Sequence, residues 1–183
     1  GKTLDSEGYD LLGLMTGSEG LLGVITEVTV KILKKPEVVK AALIGFSSIE
    51  DAGQCVSEII AKGIIPAGME IMDKALTKAT NDYSKAGYPV DAEAMMIVEL
   101  DGTETEVSEL IKRVEDIAKK NKCSSIKINK SEEERLKFWA GRKAAFPACG
   151  DLAPDYMCMD GSIPRGKLAE VLKEIQRLSK KYE

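Results

Sequence analysis

The sequence predicts an α+β fold: a ferredoxin-like β-α-β-β-α-β unit with an antiparallel sheet, a helical insertion at its middle, and one further strand ahead of it. Three observations carry this prediction. Short apolar, partly β-branched runs alternate with helical periodicities from residue 38 onward. Three Ser/Thr-x-x-Glu patterns stand where a capping box would start a helix. Glycine and proline punctuate the joins.

The elements follow in order. The opening, residues 1–16, is glycine-rich and carries an apolar run at Leu11, Leu12, Leu14 and Met15, closed by a turn at Thr16–Gly20. Val24, Thr26, Val28, Val30 and Ile32 then alternate with Glu27, Thr29 and Lys31, the period of a strand with one buried face. Lys34-Lys35-Pro36 ends it, and Pro36 is the internal boundary. Residues 38–46 read as a strand. Ser47–Glu50 forms a capping box for a helix with Ile49, Ala52, Val56, Ile59 and Ile60 on one face, closed by Gly63. A second strand is expected over 67–72, a helix over 74–86 closed by Gly87, and a third strand over 94–100. Thr103–Glu106 opens the helix with the cleanest pattern, Val107, Leu110, Ile111, Val114, Ile117 and Ala118. A fourth strand spans 124–129, and Ser131–Glu134 opens a helix running through Trp139 and Arg142 towards Pro147. Residues 148–155 read as loop and 156–160 as strand-like. A last helix begins near Pro164, with Leu168, Val171, Leu172, Ile175 and Leu178 inward. Two helices are expected to cover one face of the sheet.

Composition excludes several classes. The 183 residues are 44% hydrophobic and 31% charged, enough for a packed core without disulfides or metals. The net charge of −4 gives no reason to expect nucleic acid or an anionic membrane as a main partner. No apolar stretch approaches the length of a membrane-spanning helix, and no signal peptide opens the chain. The cysteines at 55, 123, 149 and 158 fit neither a zinc site nor a disulfide scaffold, and read as free thiols in a reducing compartment. Histidine is absent, so catalysis by this chain alone would rest on carboxylates, Lys, Arg, Tyr or Cys, and no catalytic residue or metal ligand is assigned. Gly1 in place of an initiator methionine suggests a piece of something longer.

Three motifs could carry chemistry. Residues 16–26, TGSEGLLGVIT, hold three glycines within seven residues, which frees backbone N–H groups and lets the chain approach a ligand closely. A glycine-rich turn before a strand is the other reading, and the run is not a G-x-G-x-x-G fingerprint. Arg142, near a helix end beside Gly141, could clamp a carboxylate in two parallel bonds; it could equally be a solvated arginine near Glu132–Glu134. Asp160-Gly161-Ser162 could present polar groups at a strand end, or Ser162 could cap the last helix. Asp91, Glu93, Glu99 and Asp101 are scattered carboxylates with no strong acid/base pairing.

Taken together these runs carry a resemblance. Residues 17–27, GSEGLLGVITE, resemble the T-G-S-E-G-T-L-G-I-I-T-E signature that ends the flavin domain of the FAD-linked oxidase superfamily related to vanillyl-alcohol oxidase. Residues 138–147, FWAGRKAAFP, and 154–164, PDYMCMDGSIP, resemble its glycolate oxidase and D-lactate dehydrogenase branch, as do 64–66, 70–73 and 86–93. The resemblance implies that residues 1–36 are the end of an FAD domain and that 37–183 are part of a ferredoxin-like substrate, or cap, domain. It implies oxidation of a D-2-hydroxy acid by hydride transfer to flavin, with electrons leaving to an iron–sulfur subunit or a quinone.

Position by position, the resemblance sets Gly17, Ser18, Glu19, Gly20, Gly23, Val24, Ile25 and Thr26 against FAD, largely through backbone. It sets Arg142 on the substrate carboxylate. Phe146 and Cys158 stand where a dicarboxylate-oxidising branch has threonine and lysine, which implies a smaller substrate such as glycolate or D-lactate. Leu21 replaces a frequent threonine. The family's H-x-G-D-G-N-x-H motif and its glycine-rich pyrophosphate loop are absent, so the chain is expected to be a fragment that binds FAD weakly or not at all and does not turn over. A cytoplasmic location is expected, peripheral to the membrane where partner subunits draw it there. The strand at 24–34, deprived of its sheet, would favour pairing with a second copy. The competing reading is a free-standing ferredoxin-like module that binds a small ligand or a partner chain.

Overall fold

A computed structural model describes residues 8–182. The expectation attached to Gly1 therefore lies outside the described residues. The chain divides into two compact units, Gly1–Lys35 and Pro36–Glu183.

In the first unit, Asp10 caps a short helix, α1 (Leu11–Met15), its carboxylate accepting the Gly13 N–H at 2.8 Å. The chain then turns: the Ser18 N–H donates to the Met15 carbonyl at 3.2 Å and the Leu21 N–H to the Ser18 carbonyl at 2.9 Å. The strand expected over 24–34 does not form among the described residues. Its alternation defines two faces, but a strand is stabilised by a laddered neighbour. No neighbour pairs with it, and Val24, Val28, Val30 and Ile32 are exposed.

The second unit follows the predicted plan. Its strands are β1 (Val38–Phe46), β2 (Gly68–Asp73), β3 (Ala94–Gly102) and β4 (Cys123–Ile128), all antiparallel in the order β2-β3-β1-β4. Between them lie α2 (Ile49–Ala61), α3 (Lys74–Ser84, the insertion) and α4 (Glu104–Lys120). The continuous apolar run of β1 reflects a central strand buried on both faces from Ala41 to Phe46. The Thr103–Glu106 box is reciprocal as expected, and Val107, Ile111, Val114, Ile117 and Ala118 are buried. The α2 cap falls one residue later than expected: Ser48, not Ser47, accepts the Asp51 N–H at 3.2 Å.

The sheet is covered on both faces rather than one. Ala42, Ile44, Phe46, Met96 and Val98 pack beneath α2 and α4. Ala41, Leu43, Met95 and Ile97, of opposite parity, pack with Met72, Tyr88 and Phe138. Phe138 comes from α5 (Glu132–Lys143), and the expected loop after it is instead α6 (Ala145–Leu152), which packs on α3. Pro147 sits in the first turn of α6, where its missing N–H costs no helical bond.

Two further expectations fail for physical reasons. Residues 156–160 form no strand, since no sheet edge pairs with them. Ser162 does not cap the last helix. That helix is entered at Pro164 through a 3₁₀ turn, Arg165–Lys167, before α7 (Leu168–Tyr182). α7 runs antiparallel to α2: the Ser57 hydroxyl donates to the Arg165 carbonyl at 3.1 Å, Gly53 abuts Ala169, and Lys173 pairs with Glu50 at 3.0 Å. Because α2 begins at Ile49, Leu168 and Leu172 are packed while Ile175 and Leu178 extend past it and stay exposed.

Candidate functional site

The second face of the sheet carries two carboxylates that meet helix α5. Strand parity turns Glu70 of β2 and Glu99 of β3 towards α5, while Met69, Ile71, Val98 and Leu100 turn to the α2–α4 core. Helix α5 meets both carboxylates from one stripe, because Arg135, Trp139 and Arg142 recur at i, i+4 and i+7.

The first contact is an anchor. Glu99 Oε2 accepts from Arg135 Nη1 at 2.6 Å and from Trp139 Nε1 at 2.5 Å. Arg135 also grips Glu132 with two bonds, at 2.6 and 2.7 Å. The Arg135 and Glu99 side chains are only 16% exposed. The bonds to Glu132 and then to Glu99 push the guanidinium pKa further up, so Arg135 is a fixed cation. The Trp139 ring lies against Gly68, where an added Cβ would come within 3.1 Å of it. Nearby, Lys127 stands 2.8 Å from Glu134 and 5.5 Å over the Phe138 ring.

One helical turn on, Gly141 lies against the buried Tyr88 ring, so closely that a Cβ there would collide with it. The Tyr88 hydroxyl donates to the Phe138 carbonyl. Burial pushes the Tyr88 phenol up to about 12, against a smaller opposing pull from Arg142. Tyr88 therefore stays neutral and serves as a donor that holds α5 near its C-terminal end.

Arg142 is the candidate site residue. Its Nε lies 3.2 Å from Glu70 Oε1, the two side chains being 39% and 36% exposed. The pairing is with Glu70, not with Glu132–Glu134 at the far end of the helix. Among the described residues, no hydrogen bond engages its two terminal nitrogens. Arg142 thus presents an open planar fork of the shape that takes a carboxylate bidentately. Phe146 and Tyr156, both half-exposed, contact one another with ring centroids 6.2 Å apart. Glu93, one of the scattered carboxylates, is tied to Lys74 at 2.6 Å.

The glycine-rich run lies in the first unit. Gly17, Glu19 and Gly20 have φ of 78°, 51° and 83°, so the turn needs left-handed residues, two of them glycine. Beyond it, Gly23, Val24, Ile25 and Thr26 have no backbone hydrogen-bond partner among the described residues. No group of His, Cys, Asp and Glu among the described residues could hold a metal, and none of their helices is long and apolar enough to cross a membrane.

Reasoning from sequence singled out Arg142 but missed Glu70, Arg135, Trp139 and Tyr88. The signal available was a carboxylate breaking the apolar parity of each of two strands. The complement was two arginines seven residues apart on one helix.

Known proteins resemble this chain along nearly its whole length. The family model described as FAD linked oxidases, C-terminal domain, matches residues 35–183. The glycolate oxidase subunit GlcD of Escherichia coli (strain K12) is 55% identical over 180 residues, 98% of this chain and 36% of the relative. GlcD of Bacillus subtilis (strain 168) is 37% identical over 179 residues, covering 98% and 38%. The mitochondrial D-lactate dehydrogenase [cytochrome] 1 of Saccharomyces cerevisiae is 36% identical over 143 residues, covering 76% and 24%. The chain thus spans little more than a third of the length of its GlcD relatives. In fold, alkyldihydroxyacetonephosphate synthase aligns with a TM-score of 0.69 at 20% identity, over 96% of this chain and 37% of its own. The 4-ethylphenol oxidase of Gulosibacter chungangensis aligns at 0.60 and 12% identity, over 82% and 36%.

Proposed function

Because the chain belongs to the FAD-linked oxidase family, with residues 35–183 matching its C-terminal domain, we propose that it supplies the substrate-binding part of a flavoenzyme that oxidises a small D-2-hydroxy acid, glycolate or D-lactate. On this reading residues 1–36 end the FAD domain and 37–183 belong to the substrate domain.

The observation that carries the proposal is the open fork of Arg142. A guanidinium paired at Nε, its terminal nitrogens free of hydrogen bonds among the described residues, is suited to bind and orient a substrate carboxylate. Glycolate and D-lactate carry one such group. Phe146 and Tyr156 add apolar surface one turn beyond Arg142 and offer no second cation, in keeping with a monocarboxylate.

The residues present also fit FAD. Gly17, Ser18, Glu19 and Gly20 form a turn whose glycine positions have open space where a Cβ would stand, and Gly23, Val24, Ile25 and Thr26 offer backbone amides unpaired among the described residues, beside apolar side chains. That donor set suits a planar, hydrogen-bonding ring system approached by backbone. When bound, FAD supplies the hydride acceptor, and an iron–sulfur subunit or a quinone is the class of onward electron acceptor. The chain's own part is to bind the hydroxy acid by its carboxylate and to hold Arg142 rigidly. The unladdered residues 24–34 are suited to complete a flavin-domain sheet or to pair with a second copy. A cytoplasmic enzyme is the setting this reading favours.

The test is Arg142→Ala in the full-length flavoprotein. Loss of a carboxylate clamp should lower kcat/KM for glycolate or D-lactate by the equivalent of ~2–4 kcal/mol, mostly through KM. An unchanged kcat/KM would remove Arg142 from the site.

A further inference from the structure

We infer that Glu70 is a positioning residue for Arg142, fixing which edge of the guanidinium receives substrate; this inference rests on the reading of Arg142 as the carboxylate clamp. A guanidinium offers a carboxylate two useful edges. One pairs Nε with a terminal nitrogen, and the other pairs the two terminal nitrogens. Glu70 Oε1 stands 3.2 Å from Nε, an ion-pair contact that sets its negative charge on the first edge. The second edge alone remains for an incoming carboxylate, which must arrive end-on.

The placement of Glu70 makes this contact a built one. Glu70 stands on β2, in register with Ile97 of the central strand β3. Its neighbours Met69 and Ile71 are rooted in the α2–α4 core, so the carboxylate projects from a fixed backbone. Arg142 is tied at the other end, because Glu99 holds Arg135 and Trp139 on the same helical stripe and Tyr88 holds the Phe138 carbonyl. The helix that carries the long arginine is thus set before substrate binds and Glu70 restricts the side chain, which lowers the ordering cost charged against the binding step.

A half-exposed pair can serve this role better than a buried one. Glu70 does not match Arg142 in a bidentate grip, so it does not fill the site it prepares. Its negative charge does oppose an anionic substrate, which makes the neutral isostere informative.

The experiment measures KM and kcat for D-lactate and glycolate in the full-length flavoprotein with Glu70→Ala, Glu70→Gln and each combined with Arg142→Ala. Glu70→Ala should raise KM about three- to tenfold with kcat changed far less. Glu70→Gln keeps an acceptor at the same place and should restore KM to near the wild-type value or below it. In the Arg142→Ala background the Glu70 substitutions should have no further effect. If Glu70→Ala leaves KM unchanged while Arg142→Ala raises it, the positioning role is overturned and the clamp stands. If Arg142→Ala itself has no effect, the clamp reading fails first. If Glu70→Gln is as poor as Glu70→Ala, charge rather than position is at work and the inference is overturned.

Discussion

Replacing Gly141 by alanine should destabilise the chain, against the usual sign of that change in a helix. Gly141 is the tenth residue of α5, well inside it, where alanine would ordinarily gain about 1 kcal/mol over glycine. Here the new methyl meets the Cζ and Oη atoms of Tyr88, a ring that is 5% exposed and tied by its hydroxyl to the Phe138 carbonyl. Overpacking of this kind costs ~1–3 kcal/mol, and a lost hydrogen bond from a buried phenol adds about 1 kcal/mol. The propensity gain offsets roughly the latter, leaving a net loss of ~1–3 kcal/mol. The assay is urea unfolding followed by the fluorescence of Trp139, the sole tryptophan, which sits on the same helix. With a slope near 2 kcal/mol/M the midpoint should fall by about 0.5–1.5 M. A midpoint at or above that of the wild type would show that α5 is not seated against Tyr88 and would refute the packing argument.

Two further outcomes follow from the same face of the sheet. Glu99→Ala should lower stability by ~2–3 kcal/mol, because it removes one of the two carboxylates on Arg135 and leaves the Trp139 N–H without its acceptor; the urea midpoint measures this, and a change under about 0.5 kcal/mol would contradict the anchor role. Stability should also fall on the alkaline side. Burial pushes both the Cys55 thiol and the Tyr88 phenol up to about 12, from unfolded values near 8.5 and 10. Between those limits the unfolded chain binds fewer protons than the folded one, so stability declines as pH rises from about 8.5 towards 12. Urea midpoints at pH 8, 9.5 and 10.5 check this, and a flat profile would count against burial of these groups.

The fold was legible wherever a local pattern is enough to place an element. Capping boxes, period-3.6 faces and short apolar runs located β1 to β4, α2, α4 and α5, and their order fixed the sheet topology. The failures share a cause: each element needed a partner that the local pattern cannot name. Residues 24–34 and 156–160 have strand character but no ladder. Ile175 and Leu178 have a helical face but lie beyond the start of α2. The second covered face of the sheet was signalled only indirectly, by the doubly apolar run of β1. The site was half legible. Arg142 was visible beside Gly141 in a distinctive run, but its partner Glu70 lies 72 positions earlier in the chain and only strand register brings the two together.

That register has a consequence for how errors in assembly would be felt. A slip of β2 by one residue against β3 would rotate Glu70 into the apolar core and swing Met69 or Ile71 towards α5. Burial of hydrocarbon would change little, since methionine and isoleucine are acceptable on either side. The charge of Arg142 would lose its counterpart at once, and a carboxylate would be stranded under α2. A misaligned chain would therefore be penalised by the stranded carboxylate and the lost Glu70–Arg142 contact rather than by lost hydrocarbon burial.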